Sequence, residues 1–305
     1  MTTFKEGLNT TLSSLEYHGM ERTYSSSQLK DLLENEEVFL EKYIKKSIPR
    51  EENPAFDIGT YFHTAILEPH NLKLDCAVYE GIRRGKEWDK FKEENSGRAI
   101  ITKSEMTQAE GLVNAVKNSK LSMRILAKGT PEVSAFAKLT VSNGGIYHNA
   151  SKSKLGLYGW ESVSKQVSGT DIVLKVRADF FSEDDTIVDL KSTTGNVKYP
   201  SLMKKKVSDL NYDLSTSLYL DIFSLALSRP ITKFIWIFAS KDVFNCKPYL
   251  ASPNNVRVGR AKWKYAVLKL AECVEKGWDL PESIGMLEPQ FFELERIRER
   301  TEDIL

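Results

Sequence analysis

Residues 175–193 read KVRADFFSEDDTIVDLKST, and this stretch decides the fold. Over 172–180 apolar and polar side chains alternate. Leu174, Val176, Ala178 and Phe180 take one face, and Lys175, Arg177 and Asp179 the other. Ser182, Glu183, Asp184 and Asp185 then read as a turn. Beyond it Val188 and Leu190 share one face, while Ile187, Asp189 and Lys191 share the other. The pattern predicts a hairpin of two half-buried strands. A turn centred near Glu183 and Asp184 sets Asp179 opposite Asp189. Like charges opposed across strands destabilise a sheet, but two carboxylates side by side suit a hard divalent cation. Lys191, two residues on, is placed to reach a water or a phosphate oxygen. A solvated hairpin face with a salt bridge would carry the same letters, so the rest of the chain has to decide.

Composition narrows the classes. A chain of 305 residues can bury a full core, as one large domain or as a core with an added subdomain. A hydrophobic content of 41% and a charged content of 28% are those of a soluble globular protein. The net charge is +1, so any contact with nucleic acid must come from local basic patches. Cys76, Cys246 and Cys273 lie far apart and form no CxxC pair. That excludes a four-cysteine zinc or iron–sulfur site within the chain and suits a reducing compartment. The first twenty residues lack an apolar signal core, and no run is long enough to span a membrane. A cytoplasmic protein of a bacterium or a phage-infected cell is expected, with no membrane partner.

Along the chain, 1–23 reads as irregular. A helix capped by Ser25, Ser26 and Ser27 follows, ending by Pro49, and a second runs from Phe56 to Glu68. Residues 71–103 are mixed and charged. A long helix is expected over 104–128, with Gly129 as its cap. A strand over 132–139, an unreadable glycine-punctuated stretch over 141–167 and the hairpin come next. The remainder reads as a helix over 210–227, strands over 234–239 and 244–251, and a helix over 257–276. Trp236, Trp263 and Trp278 have core-like spacing. The charged tail from Pro281 reads as a peripheral helix. The order predicts an α/β (α+β) fold in one domain: a mainly helical part over 1–128, a catalytic core over 129–278 and a tail over 279–305.

Two other stretches bear on chemistry. Gly59 and His63 lie one turn apart on a helix, where a small residue admits another backbone and the imidazole projects beside it. A lone histidine reads as a half-buried group bonded to a carbonyl. Beside two carboxylates it reads also as a ligand for a borderline metal. Glu132 opens the strand expected to neighbour the hairpin, and could be a third carboxylate or a solvated strand end.

Together these pieces resemble the RecE-type branch of the PD-(D/E)XK nuclease superfamily, related to lambda exonuclease. The matching residues are Tyr24-Ser25-Ser26-Ser27, Gly59-Thr60 with His63, Leu67-Glu68-Pro69, Pro131-Glu132-Val133-Ser134, Lys175, Arg177, Asp179, Asp189-Leu190-Lys191-Ser192-Thr193, and Tyr212 with Tyr219. They run in family order. Where the family has Gln four residues before the second tyrosine, this chain has Ser215, and the segment between Glu132 and Lys175 is longer.

The resemblance implies a restriction-endonuclease-like core, a mixed central sheet flanked by helices. It implies Mg²⁺ or Mn²⁺ held by His63, Glu132, Asp179, Asp189 and the Leu190 carbonyl, with Lys191 as the catalytic lysine. It implies an exonuclease acting 5′-to-3′ on linear duplex DNA in phage-type recombination, a homo-oligomeric ring, and a single-strand-annealing partner. An endonuclease, or a DNA-binding protein with a degenerate site, would share the motif. Thr193 and Tyr219 would contact DNA. Arg177, on the site face of the hairpin, and the basic runs Arg83-Arg84 with Lys86 and Lys204-Lys205-Lys206 are further candidates for phosphate contacts.

Overall fold

The computed structural model describes residues 5–49 and 53–280. The chain opens with β1 (Gly7–Asn9), α1 (Ser14–Gly19), β2 (Thr23–Tyr24) and α2 (Ser26–Glu34). A short α3 (Glu36–Phe39) runs into a π turn, Leu40–Ile44. Next come α4 (Pro54–Leu67), α5 (Leu72–Asp75), β3 (Cys76–Tyr79), α6 (Lys86–Glu94), β4 (Ala99–Thr102), α7 (Lys103–Lys117) and α8 (Lys120–Ile125). The central part is β5 (Gly129–Ser142), β6 (Gly145–His148), β7 (Ser153–Leu155), β8 (Trp160–Ser162), β9 (Thr170–Ser182) and β10 (Thr186–Thr193). The chain continues through α9 (Pro200–Asp209), α10 (Tyr212–Leu227), β11 (Lys233–Ser240), β12 (Cys246–Leu250) and α11 (Pro253–Glu275).

Among the described residues the main sheet has the order β12-β11-β10-β9-β5-β6-β7-β8, with β1 added to β5 and β2 to β9. It is mixed: β10 pairs with β11 in parallel, and β9 pairs antiparallel with both β10 and β5. The parallel pair needs a crossover, which α9 and α10 supply. Alternation sorts the two parallel strands between two hydrophobic layers. Ile187, Phe234, Trp236 and Phe238 pack with Leu214 and Leu218 of α10 and Trp263 of α11. Val188, Leu190, Ile237 and Ala239 pack with Phe62 of α4 and Leu112 and Val116 of α7. Helices α10 and α11 cross closely because residue 259 is glycine; a Cβ there would run into the Asp213 carbonyl.

The α/β fold with a mixed sheet between helices agrees with the sequence expectation. Several local readings are corrected. The stretch 1–23, expected to be irregular, carries β1, α1 and the start of β2, because the sheet supplies backbone partners at Ser134–Phe136 and Val173–Leu174. The helix expected to end by Pro49 breaks at Asn35, whose side chain caps the next turn by accepting the Val38 N–H at 2.9 Å. The mixed stretch 71–103 holds a parallel pair, β3 with β4. The long helix over 104–128 is two, because the Ser119 side chain caps α8. Gly129 is the first residue of β5 rather than a helix cap. The unreadable stretch 141–167 is a hairpin extension, β6 to β8, beyond the β5–β9 pairing. Trp236 and Trp263 are buried in the core, and Trp278 stacks on Phe39 with ring centroids 5.2 Å apart. The expected tail helix lies outside the described residues.

Candidate metal and nuclease centre

The hairpin forms with the expected register. Ile187 pairs with Phe181 and Val188 with Phe180, so continuing one step sets Asp189 against Asp179. Past Val188 the pairing between β9 and β10 stops. β10 continues along β11 as far as Thr193, and β9 continues along β5 back to Thr170. The strands part at the two aspartates. The Leu190 N–H, freed there from the ladder, donates to Asp179 Oδ2 at 2.6 Å.

Strand β5 contributes the third carboxylate. Pro131 pairs with Phe180 and Val133 with Ala178, so Glu132 falls beside Asp179. Its own ladder pair is missing because its backbone is left-handed, with φ of 53°. For a non-glycine residue that conformation costs about 1 kcal/mol or more, and it turns the carboxylate out of the pleat. Helix α4 brings His63 over the same point. The helix begins at Pro54 on the Asn53 cap, whose Oδ1 accepts the Ala55 N–H at 2.9 Å. His63 Nδ1 lies 3.5 Å from Asp179 Oδ2, and the ring also hydrogen-bonds the Leu190 backbone. One ligand atom each from His63, Glu132 and Asp179 lies within 4.8 Å of the others. Gly59 does not serve the close approach expected of it: a Cβ there would meet nothing within 4 Å.

Asp189 is buried and turns toward Lys191, whose Nζ donates to it at 2.7 Å. Burial alone would lower the Lys191 pKa, but Asp189 and then Asp179 outweigh it and hold the ammonium charged. Burial, then the neighbouring Asp189, pushes Asp179 up to about 7 despite Lys191 and the Leu190 N–H. Burial and then Asp179 also raise Glu132, against the pull of Arg177. Burial and then Lys191 lower His63, which keeps the imidazole neutral and able to ligate. Two oxygen donors and one neutral nitrogen, with the Leu190 carbonyl and Asp189 alongside, fit a divalent cation. The raised aspartate marks negative charge that a cation would relieve.

The other expected site residues divide. The Arg177 Nε donates to Glu132 at 2.6 Å and its Nη1 to the Leu12 carbonyl at 3.0 Å, so it braces the third carboxylate. The Tyr219 hydroxyl is buried between the Ser26 side chain and the Arg177 backbone. Thr193 is buried where β10 ends. Arg83 is turned inward: its Nη2 donates to the Ile100 carbonyl at 2.5 Å and to Glu105 at 2.8 Å, with Asp57 at 3.5 Å from Nη1. Arg84 lies beside it in the loop leading to α6. On α9, Lys204 and Lys205 are exposed, Lys205 facing Asp209. Lys206 reaches the loop after β10, donating to Thr194 Oγ1 at 3.2 Å. Sequence reading matched Tyr212 with Tyr219 but gave its ring no role at the site, and it passed over Lys30, which carries no signal of its own.

Residues 25–143, from the cap of α2 through β5, match a family model described as a PDDEXK-like domain of unknown function (DUF3799). His63 and Glu132 lie within the match, and the hairpin lies beyond it. A crystal structure named "Putative exonuclease" from Eubacterium rectale aligns with a TM-score of 0.59 at 15% identity, over 97% of this chain and 100% of that one. The structure of SSO0001 aligns at a TM-score of 0.28 and 13% identity, over 88% of this chain and 100% of that one. Rai1 of Scheffersomyces stipitis, in complex with (3′-NADP)⁺ and calcium, aligns at 0.25 and 10%, over 96% and 85%. These last two likenesses are too distant to bear on the fold. No curated protein matches the chain. Residues 25–143 thus match a PDDEXK-like domain, and the chain as a whole shares the fold of the Eubacterium rectale structure.

Proposed function

We propose that the protein is a divalent-cation-dependent DNA nuclease, and specifically an exonuclease that degrades linear duplex DNA 5′-to-3′ in phage-type recombination. One observation carries the nuclease reading: Glu132, Asp179 and Asp189 form an acidic row across β5, β9 and β10 where the strands part, with Lys191 and His63 beside it. The polarity, the recombination setting, a ring-shaped homo-oligomer and a single-strand-annealing partner rest on the resemblance of the motif set.

The residues divide the work. His63, Glu132 and Asp179 would hold Mg²⁺ or Mn²⁺, with Asp189 and the Leu190 carbonyl next to them. When bound, the cation supplies an acidified water and a counter-charge for the phosphoryl oxygen. Lys191 is kept protonated by Asp189 and Asp179, so it orients the attacking water and offsets charge that builds in the transition state. Arg177 fixes Glu132, and the Leu190 N–H fixes Asp179. Both carboxylates are therefore oriented before substrate arrives.

Linear duplex labelled separately at its 5′ and 3′ ends tests the reading, with covalently closed circular DNA as the comparison. Mononucleotide release from the 5′ end in Mg²⁺ or Mn²⁺, none in EDTA and none from closed circles is the expected result. Cleavage of the circle would make the enzyme an endonuclease, and no cleavage with any divalent cation would overturn the reading.

A further inference from the structure

Three lysines, Lys191, Lys30 and Lys262, cluster by the start of α10, and two have carboxylate partners. Lys191 bonds Asp189, and Lys262 of α11 bonds Asp213 at 3.0 and 2.9 Å and Asn211 at 2.8 Å. Lys30 of α2 is half-buried and has no ion-pair partner among the described residues. Its ammonium lies 5.2 Å from the centroid of the Tyr212 ring. Lys191 lies 5.4 Å from the same centroid. The two cations therefore share one aromatic platform beside the site, no farther apart than the sum of those distances.

Leaving an ammonium half-buried without a counter-ion costs free energy. Burial and then Lys191 pull its pKa down to about 8, against the smaller attraction of Asp189 and Asp213, so at neutral pH it still carries its charge. The ring offsets part of that cost through the cation–π contact. The position is rigid. Leu29 and Leu32 on either side of Lys30 are fully buried, and Ser26, one turn earlier, bonds the Tyr219 hydroxyl. Along α10 the two contacts fall at Tyr219 and Tyr212, so α2 and α10 run antiparallel here. The seven-residue tyrosine interval is thus two turns of α10 gripping one turn of α2. What remains is a preoriented cation next to the catalytic lysine, and the two acids that act on it, Asp189 and Asp213, are already paired with Lys191 and Lys262. A nucleic-acid strand offers the complementary pattern, a row of phosphates each carrying one negative charge.

We propose that Lys30 is a phosphate-positioning residue: its ammonium, held on Tyr212 beside Lys191, takes the backbone phosphate adjacent to the one being cleaved. The assignment rests on the nuclease reading above and names a contact that reading does not contain. Lys191 acts at the reacting phosphate, and Lys30 sets the register of the strand.

The full chain tests this with fluorescent linear duplex over about 50 to 200 mM salt, comparing wild type, Lys30→Met and Lys30→Arg. Lys30→Met should weaken binding about tenfold and reduce the slope of log affinity against log salt by about one. In cleavage, KM should rise about as much while kcat changes by less than about threefold. Lys30→Arg should restore both. Lys30→Met should melt no lower than wild type, since it removes an unpaired charge, and Lys30→Gln provides a second neutral variant. An unchanged slope and KM in both neutral variants would overturn the proposal, as would loss of kcat at constant KM. If wild type binds duplex but cleaves with no divalent cation, the nuclease reading fails and the slope comparison still decides Lys30. If wild type binds no DNA, both fall.

Discussion

The Leu190 N–H donates to Asp179 Oδ2 at 2.6 Å, across the point where β9 and β10 separate. The bond exists because the ladder has ended there: a backbone donor that would otherwise pair with the neighbouring strand is spent on orienting a carboxylate. It also points the Leu190 carbonyl toward His63. Site geometry is thus a product of the parting of two strands, and changes at Asp179 should be read through protons as well as through metal.

Asp179→Asn keeps an acceptor for the Leu190 N–H and removes the charge. The folded chain holds the Asp179 proton up to about 7, whereas an unfolded aspartate loses it near about 3.9. Between those values the folded state binds more protons, so apo stability falls as pH rises through the window. The variant should therefore melt about 4 °C or more above wild type at pH 8 and equal it at pH 4, by calorimetry without metal. At pH 6 Mn²⁺ uptake by wild type should release about one proton, and by the variant none.

Lys191→Ala and Asp189→Ala should each abolish cleavage, lowering kcat by about a thousandfold or more, with the fold intact by circular dichroism. They should differ in Mn²⁺ titration: Asp189→Ala weakens the site, whereas Lys191→Ala largely spares it. Wild-type turnover by either variant would remove the hairpin from the chemistry.

Glu132→Gln keeps the size of the side chain and an oxygen for the Arg177 guanidinium. It should raise the Mg²⁺ concentration for half-maximal rate by about tenfold, and leave the metal-free melting temperature equal or higher. The stability term follows from burial and Asp179 both opposing ionisation of Glu132. An unaltered metal requirement would reduce the protein side-chain ligands to His63, Asp179 and Asp189.

The two basic runs should behave differently. Lys206→Ala should lower the salt slope of DNA binding by about one, more than Lys204→Ala or Lys205→Ala, because only Lys206 is drawn to the loop after β10. Arg83→Ala should instead cost stability, by about 1 to 3 kcal/mol in urea unfolding, since it strips inward hydrogen bonds from Ile100 and Glu105. A flattened salt slope with normal stability in Arg83→Ala would reverse this ordering.

The hairpin was legible because a period of two over 172–191 leaves little choice of face, and because its turn is short enough to fix the register. The row of Asp179 and Asp189 followed directly. Glu132 was placed beside them only as one of two readings, and its left-handed backbone has no signal in a sequence where Pro131 and Val133 flank it as in any strand. Breaks at Asn35 and Ser119 were missed since both sit in otherwise helical patterns, where a side-chain cap competes with continuation. Strands β1 and β2 are too short to alternate; their partners, not their letters, make them strands. Lys30 was invisible for a similar reason. A lysine on a helix carries no meaning until the fold brings Tyr212 beneath it.

The hairpin extension beyond β5 and β9 has a consequence for how the gene can be cut. Val141 pairs with Thr170 and Thr140 with Asp171, so the excursion between them starts and ends on one rung of the β5–β9 ladder while adding β6 to β8 to the same sheet. A two-residue turn could close the gap, and closing so short a loop costs less entropy than the native excursion. The excursion is anchored along its length, with Ile146 and Leu155 buried in the main core, and also at its tip. The Leu157 carbonyl accepts Arg260 Nη1 at 3.0 Å, and Trp160 Nε1 donates to the Asp221 carbonyl at 3.1 Å. Arg260 keeps its bidentate pair with Asp221 at 2.7 and 2.8 Å in either case. A chain with 142–169 replaced by Asn-Gly would lose Ile146 and Leu155 from the main core, so a tag or a second module belongs at the exposed Asn143-Gly144 turn, with the extension kept.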